Sequence, residues 1–319
     1  MRRAIRWSLA AVLLIVAGLL CWGYVRATPR LGPAPGARAP ADPPLWRFGF
    51  VGDTQQGETV FEEIFRQLAE ARVQFVLHLG DMVENADSPQ QWEYLLAKAQ
   101  AAGLRLMPVV GNHDRLPGYR DHGESCFRRY FPHLPETFYH FRFREVNFLM
   151  LNSERSFLPA SEQAGFLRWQ LAHHPGTTIV CLHRPVFSAS RRDLANQYLR
   201  RALVHGTLAG SDVVLVLSGH HHTYERTLPL DGITYVVSGG GSRKLYPAEP
   251  PDARTAVSRP SVNHYGVVDV YADRLVVRVM DLAGVEFDRF SLPLRPTNHA
   301  VGSARNPPSL ELAPLERGP

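Results

Sequence analysis

Short apolar runs alternate along the chain with stretches whose apolar positions recur every three or four residues, the pattern of an α/β domain. Trp46 to Val51 reads as a buried strand, and Glu58 to Ala71 as a helix with Val60, Phe61, Ile64, Phe65 and Leu68 on one face. Val73–Leu79 and Leu104–Val110 read as strands, with a helix between them over Pro89–Ala102. Thr137–Phe143 and Val146–Asn152 predict a hairpin turned at Arg144-Glu145. Ser161–His173 and Arg191–His205 read as helices, and Thr177–Leu182 and Asp212–Leu217 as strands. From Gly232 the helical period stops. Ile233–Val237, Tyr265–Tyr271, Arg274–Met280 and Val285–Phe290 predict a β-meander forming a second sheet packed on the first.

Polar residues fall at one recurring place in this pattern. Five apolar strands end directly in Asp53, Asp81, Asn112 with His113, His183, and His220 with His222. The carboxyl ends of strands in an open α/β sheet border the ligand crevice, so loops distant in sequence converge there. Clustered oxygen and nitrogen donors with buried carboxylates are costly without a cation. Two carboxylates, an amide and imidazoles, with no thiolate, suit Mn, Fe or Zn. They outnumber the ligands of one tetrahedral ion, which favours two ions bridged by a carboxylate.

Gly52-Asp53, Gly80-Asp81, Gly111-Asn112-His113-Asp114, His183 and Gly219-His220-His221-His222, in this order, resemble the five blocks of the calcineurin-like metallophosphoesterases. His183-Arg184-Pro185 and the run from Gly219 to Arg226 further resemble the purple acid phosphatase version. The resemblance implies a four-layer αββα sandwich of two mixed β-sheets flanked by helices. It implies that Asp81 bridges two ions, Asp53 and His222 hold the first, and Asn112, His183 and His220 hold the second. His113 would contact the substrate phosphate and assist the leaving oxygen, with a metal-bound hydroxide attacking phosphorus. The implied activity is phosphomonoester hydrolysis. Phosphodiester or nucleotide hydrolysis, or a catalytically weak binding relative, are the alternatives.

Two positions depart from the family pattern. Gln55 stands where a histidine ligand is usual, and Glu84 where purple acid phosphatases place a tyrosine. Gln55 is a candidate weak ligand or a neighbour of the ligands. Glu84 is a candidate partner of His113, a metal ligand, or a solvated carboxylate. Arg184 and His221 are candidate substrate contacts with a structural role as the alternative, and Asp114 is a further candidate contact; His78, inside an apolar strand, reads as a core histidine. Tyr119, Arg120, His122 and Arg128, in the loop after His113, are candidates for shaping the substrate pocket.

Composition alters the picture mainly at the ends. The chain carries 35 Lys and Arg against 30 Asp and Glu, a formal charge of +5. The first 40 residues hold six arginines and no acid, so the remaining 279 carry 29 basic and 30 acidic side chains, or −1. The basic character is therefore a property of the leader, and no nucleic-acid partner is expected. Residues 1–27 read as a signal anchor or a signal peptide: Arg2, Arg3 and Arg6 precede an uncharged apolar stretch from Trp7 to Tyr24. Residues 28–44, with six prolines, read as an extended linker, 45–294 as the catalytic domain, and 295–319 as a disordered proline-rich tail. The expectation is a membrane-anchored or secreted enzyme with its catalytic domain outside the cytoplasm, acting on a phosphorylated small molecule or phosphoprotein. Three cysteines without a Cys-x-x-Cys exclude a disulfide scaffold.

Overall fold

A computed structural model of the chain describes residues 29–33, 42–116, 122–247, 249–295 and 309–312. The expected membrane segment, residues 1–27, lies outside the described residues. Among the described ones, no helix is long and apolar enough to cross a membrane.

The first sheet starts with β1 (Trp46–Val51), β2 (Val76–His78) and β3 (Leu106–Pro108), all parallel. Alternation in β1 sends Trp46, Phe48 and Phe50 to one face and Val51 to the other. The helices α1 (Glu58–Glu70) and α2 (Pro89–Ala101) cover the second face with Phe61, Ile64, Phe65, Leu68, Trp92 and Leu95. A short helix, α3 (Ser125–Tyr130), adds Phe127 to that layer.

The second sheet contains β4 (Tyr139–Phe143), β5 (Val146–Met150), β6 (Thr178–Leu182), β7 (Val213–Ser218), β8 (Thr223–Thr227), β9 (Thr234–Ser238) and β10 (Thr255–Pro260). β4 and β5 form the expected hairpin, with Arg144 at φ 52 in the turn. β5, β6, β7 and β9 run parallel. Outside this sheet lie α4 (Glu162–His173) and α5 (Leu194–Arg200), the latter continuing through a π-helical turn over Arg201–His205. Phe166, Leu167, Val204 and Leu208 pack there against Val180 and Val216. The inner faces of the two sheets meet over an aromatic and aliphatic core, completing an αββα sandwich.

Two expectations are corrected. The C-terminal strands β11 (His264–Val270), β12 (Arg274–Asp281) and β13 (Glu286–Pro293) do not build a separate sheet. They extend the first one, because β11 lies antiparallel to β1 and gives the order β13-β12-β11-β1-β2-β3. Nor are the terminal stretches wholly outside the fold. Leu31 and Gly32 bridge the turn around Leu230, the Gly32 amide donating to the Pro229 carbonyl at 2.7 Å. At the other end, β14 (Ser309–Glu311) pairs parallel with β4 and brings Leu310 onto the inter-sheet core. The physical reason is edge satisfaction: β4 would otherwise present unpaired amides and carbonyls.

Candidate metal centre

The strands β1, β2, β3, β6 and β7 all end at one rim, where neighbouring loops lock backbone to backbone. The Asp53 amide donates to the Gly80 carbonyl at 3.0 Å, Gln55 to Asp81 at 3.1 Å, and Gly219 to His183 at 2.9 Å. Asp53, Asp81 and His220 each take a left-handed backbone, at φ 61, 52 and 68. That conformation is disfavoured for residues with a Cβ and persists where surrounding contacts impose it. Here it turns each side chain back into the rim. A Cβ on Gly111 would stand 2.1 Å from the Asp81 amide nitrogen, so only glycine admits this approach.

The converging donors form two adjoining groups. In one, Nε2 of His183 lies 3.2 Å from Asp81 Oδ2, 3.2 Å from Asn112 Oδ1 and 3.2 Å from His220 Nδ1. In the other, His222 Nε2 lies 3.5 Å from Asp53 Oδ1, with the Gln55 amide 3.2 Å from the same nitrogen and 3.3 Å from Asp81 Oδ2. With its oxygen turned towards His222, the Gln55 amide nitrogen donates to the carbonyls of Asp81 at 2.8 Å and Asp53 at 3.3 Å. Asp81 touches both groups.

These residues fit a metal cluster. The donor atoms of Asp81, His183 and His220 all lie within 4.8 Å of one another. Spacings near 3 Å are those imposed by metal–ligand bonds of about 2.0–2.2 Å. The ring nitrogens facing away are anchored: His183 Nδ1 meets the Leu79 carbonyl at 2.9 Å and His222 Nδ1 the Lys244 carbonyl at 2.5 Å. Such outer bonds fix which nitrogen is presented to an ion.

The electrostatics point the same way. Burial disfavours the charged form of His183, yet Asp81 and Asp53 overcome it and push its pKa up to about 9. Asp81 also resists its burial: contacts with His183 and the His113 amide hold its pKa below the ordinary carboxylate value. Burial raises the pKa of Asp53 despite His222 and His183. The carboxylates thus favour positive charge on His183, whereas burial and the charges of His183 and Arg184 hold His220 neutral.

The remaining expected residues divide. His113 stands at the mouth, its side chain 36% exposed, and Glu84 pairs with it in a way the sequence did not indicate. The Glu84 main-chain carbonyl takes the hydrogen bond to Nδ1 at 2.9 Å, while its carboxylate stays 3.9 Å away. Asp114, expected as a substrate contact, is fully buried. It accepts from the amides of Met82 at 2.7 Å, Gly111 at 2.8 Å and Val83 at 3.3 Å, and so pins the second loop to the third. Arg184 lies inside the cluster, with Nη1 2.9 Å from His220 Nε2 and Nε 2.6 Å from Glu154. His221 faces away from the rim, with Nδ1 3.0 Å from Ser188 Oγ. His78 is buried against Thr54, at 3.0 Å. Arg128 is committed to Glu124 and Glu136. The His122 carbonyl accepts from Arg115, whereas Tyr119 and Arg120 lie outside the described residues.

Sequence reasoning missed two features. Glu154, which aims Arg184, lies in a loop without a motif. Tyr246 stacks on His222 with ring centroids 4.5 Å apart and carries the Arg192 guanidinium 3.9 Å from its other side. Nothing in local spacing marks either.

Comparison with known proteins agrees with this architecture. A solved purple acid phosphatase from yellow lupin (Lupinus luteus) seeds is similar over 81% of this chain and 55% of its own, with 18% identity and a TM-score of 0.68. This chain thus spans about half the length of that protein. GAP50, the anchor in the inner membrane complex of Plasmodium, is similar over 79% of this chain and 90% of its own, at 17% identity and TM-score 0.60. A dimetal phosphatase from Danio rerio matches over 79% and 99%, at 15% identity and TM-score 0.54. These likenesses speak to the fold. The sequence model of the calcineurin-like phosphoesterases matches residues 47–224, which hold every candidate ligand, and the chain belongs to that family.

Proposed function

We propose that this chain hydrolyses phosphomonoesters at a dinuclear metal centre, in a domain held outside the cytoplasm by its N-terminal segment. The observation that supports this reading most is the convergence of Asp53, Asp81, Asn112, His183, His220 and His222 on one rim, with His113 at its mouth. Asp81 would bridge two ions, with Asp53, His222 and the Gln55 amide on one side and Asn112, His183 and His220 on the other. When bound, the ions supply charge neutralisation on the phosphate and an acidified water.

The protein's own residues supply the rest. The Glu84 carbonyl holds Nδ1 of His113, which leaves Nε2 as the nitrogen able to hand a proton to the departing oxygen. The Glu84 carboxylate lies 3.9 Å from the same Nδ1. Arg184, paired with Glu154, holds Nε2 of His220 and so fixes that ring. The run from Gly219 to Arg226, which resembles the purple acid phosphatase block, favours a monoester over a diester.

The test is metal content of the purified protein, with hydrolysis of an aryl phosphomonoester and an aryl phosphodiester. About two ions per chain and a faster monoester reaction are expected, and Asn112→Ala and His113→Ala should each lower turnover by roughly 10²-fold or more. Absence of bound metal, or turnover indifferent to both substitutions, overturns the reading. A faster diester reaction selects diester hydrolysis instead. Gln55 in place of an imidazole ligand favours a second reading, a binding relative with little catalysis, consistent with the anchor role stated for GAP50. Bound metal without turnover selects that one.

A further inference from the structure

Two clefts adjoin the candidate centre, and they differ in chemistry. The smaller, about 140 Å³, begins at Gln55; Phe61, Met82, Val83 and Leu95 share its walls with Glu58 and Glu84, for which no cationic partner within 4 Å other than His113 is seen among the described residues. An ester's organic group lying there would face two carboxylates. The larger, about 460 Å³, begins at Arg184 and runs between the 153–158 loop and α5, with Phe157, Leu158, Leu199 and Leu203 in its walls.

The ionic groups of the larger cleft are already matched. Arg184 is bonded to Glu154 at 2.6 Å, Arg155 to Glu124 at 2.7 Å, and Arg200 to Asp193 at 2.6 Å. The cleft therefore offers little unpaired charge and a run of apolar surface. Leu158 and Leu199, on its two walls, are 55% and 52% exposed. Apolar surface gathered beside a polar catalytic rim marks a binding surface more often than scattered exposure does.

We propose that the larger cleft seats an apolar leaving group, so that the substrates are phosphomonoesters of alkyl or acyl-bearing alcohols. The proposal rests on the phosphoesterase reading above. Arg184 joins the two parts: it touches His220 at the phosphate end and floors the cleft at the other. In the reaction water adds its oxygen to phosphorus, and the P–O bond to the alcohol breaks with its electrons passing to the alcohol oxygen. That oxygen takes up a proton, and inorganic phosphate and an apolar alcohol leave.

The experiment uses the metal-loaded full chain and n-alkyl phosphates of rising length, kept below micelle formation, beside the matching n-alkyl phosphonates as non-hydrolysable ligands. Both kcat/KM and phosphonate affinity should rise about two- to threefold per methylene over the length of the cleft, a little below the gain for complete burial. The pair Leu158→Asn and Leu199→Asn should flatten both slopes without moving the unfolding temperature. A control pair at exposed sites elsewhere, Leu45→Asn and Val285→Asn, should leave the slopes intact. Hydrolysis without a length dependence, or with one that the cleft pair leaves unchanged, overturns the apolar subsite and spares the phosphoesterase reading. Phosphonate affinity that climbs with length and flattens in the cleft pair, with no ester hydrolysed, supports the subsite and overturns the enzyme reading. Absence of both binding and hydrolysis overturns both.

Discussion

Between the sheets, Phe75 lies parallel to Phe48 at 5.5 Å and edge-on to Phe148 at 5.3 Å and Phe141 at 5.5 Å. All four rings are fully buried and bring no polar atoms into the core. A few residues further along the same strands, the rim holds Asp53 and Asp81, also buried, on backbones that an L-residue rarely adopts. The interior lowers the free energy by removing apolar surface from water. The rim raises it, by roughly 1–3 kcal/mol for each strained residue before the desolvated charges are counted. Strand pairing carries both, so the aromatic interior offsets a rim that would not hold its shape alone. Changes at the two places should therefore fail differently.

The largest effect belongs to Asp81, which touches both donor groups. Asp81→Asn keeps the shape and can still accept from the His113 amide, but it loses the charge. Hydrolysis should fall by about 10³-fold or more, and the rise in unfolding temperature on adding metal should largely disappear. In the metal-free protein it also breaks the buried contact with His183, so unfolding should become easier by about 3–5 kcal/mol. Unchanged metal-free stability would show that Asp81 serves the site and not the fold.

Phe75→Ala should lower stability alone. Removing the central ring should cost about 3–5 kcal/mol in urea unfolding, through lost transfer energy and the cavity left behind. Metal content and turnover per folded molecule should stay close to those of the unaltered chain. If metal affinity collapses in the folded fraction, the interior and the rim are not separable.

The same contrast explains what the sequence disclosed. Asp53, Asp81, Asn112, His183 and His220 were legible because a polar residue directly after an apolar run is conspicuous, and the strand-end rule says where it goes. The role of Asp114 was not, since a carboxylate that pins three amides and one that meets a ligand share the same letter. Only its direction in space, inward onto Met82 and Gly111, separates them. Strands β11 to β13 were visible as strands, but their sheet depends on Trp46 pairing with Val270, a contact more than 200 residues apart. β8 and β10 were missed: the first continues directly from the histidine block, and the second is half-exposed along most of its length without alternation. The tail strand β14 has three residues, too few for a period to show.

The smallest predicted effect lies on a buried polar pair away from the rim, with no expected cation to answer it. His140 on β4 is 4% exposed and stacks on His174 with centroids 4.3 Å apart. Burial, then the charge of His174, push its pKa down to about 4 against the opposing Asn147 hydrogen bond, and Arg142 adds to the depression. In the unfolded chain the same group titrates near 6.5. Between those values the unfolded state binds a proton that the folded state refuses, so stability is intact above about 6.5 and falls as pH drops towards 4. Burial moves His174 in the same direction. The urea midpoint of the metal-free chain should therefore decline across this window, and His140→Gln should make that decline shallower while leaving the midpoint at pH 7.5 within about 1 kcal/mol. Equal slopes in the two proteins would place the acid sensitivity elsewhere, on the rim or on His205 and His264, whose pKa burial also lowers.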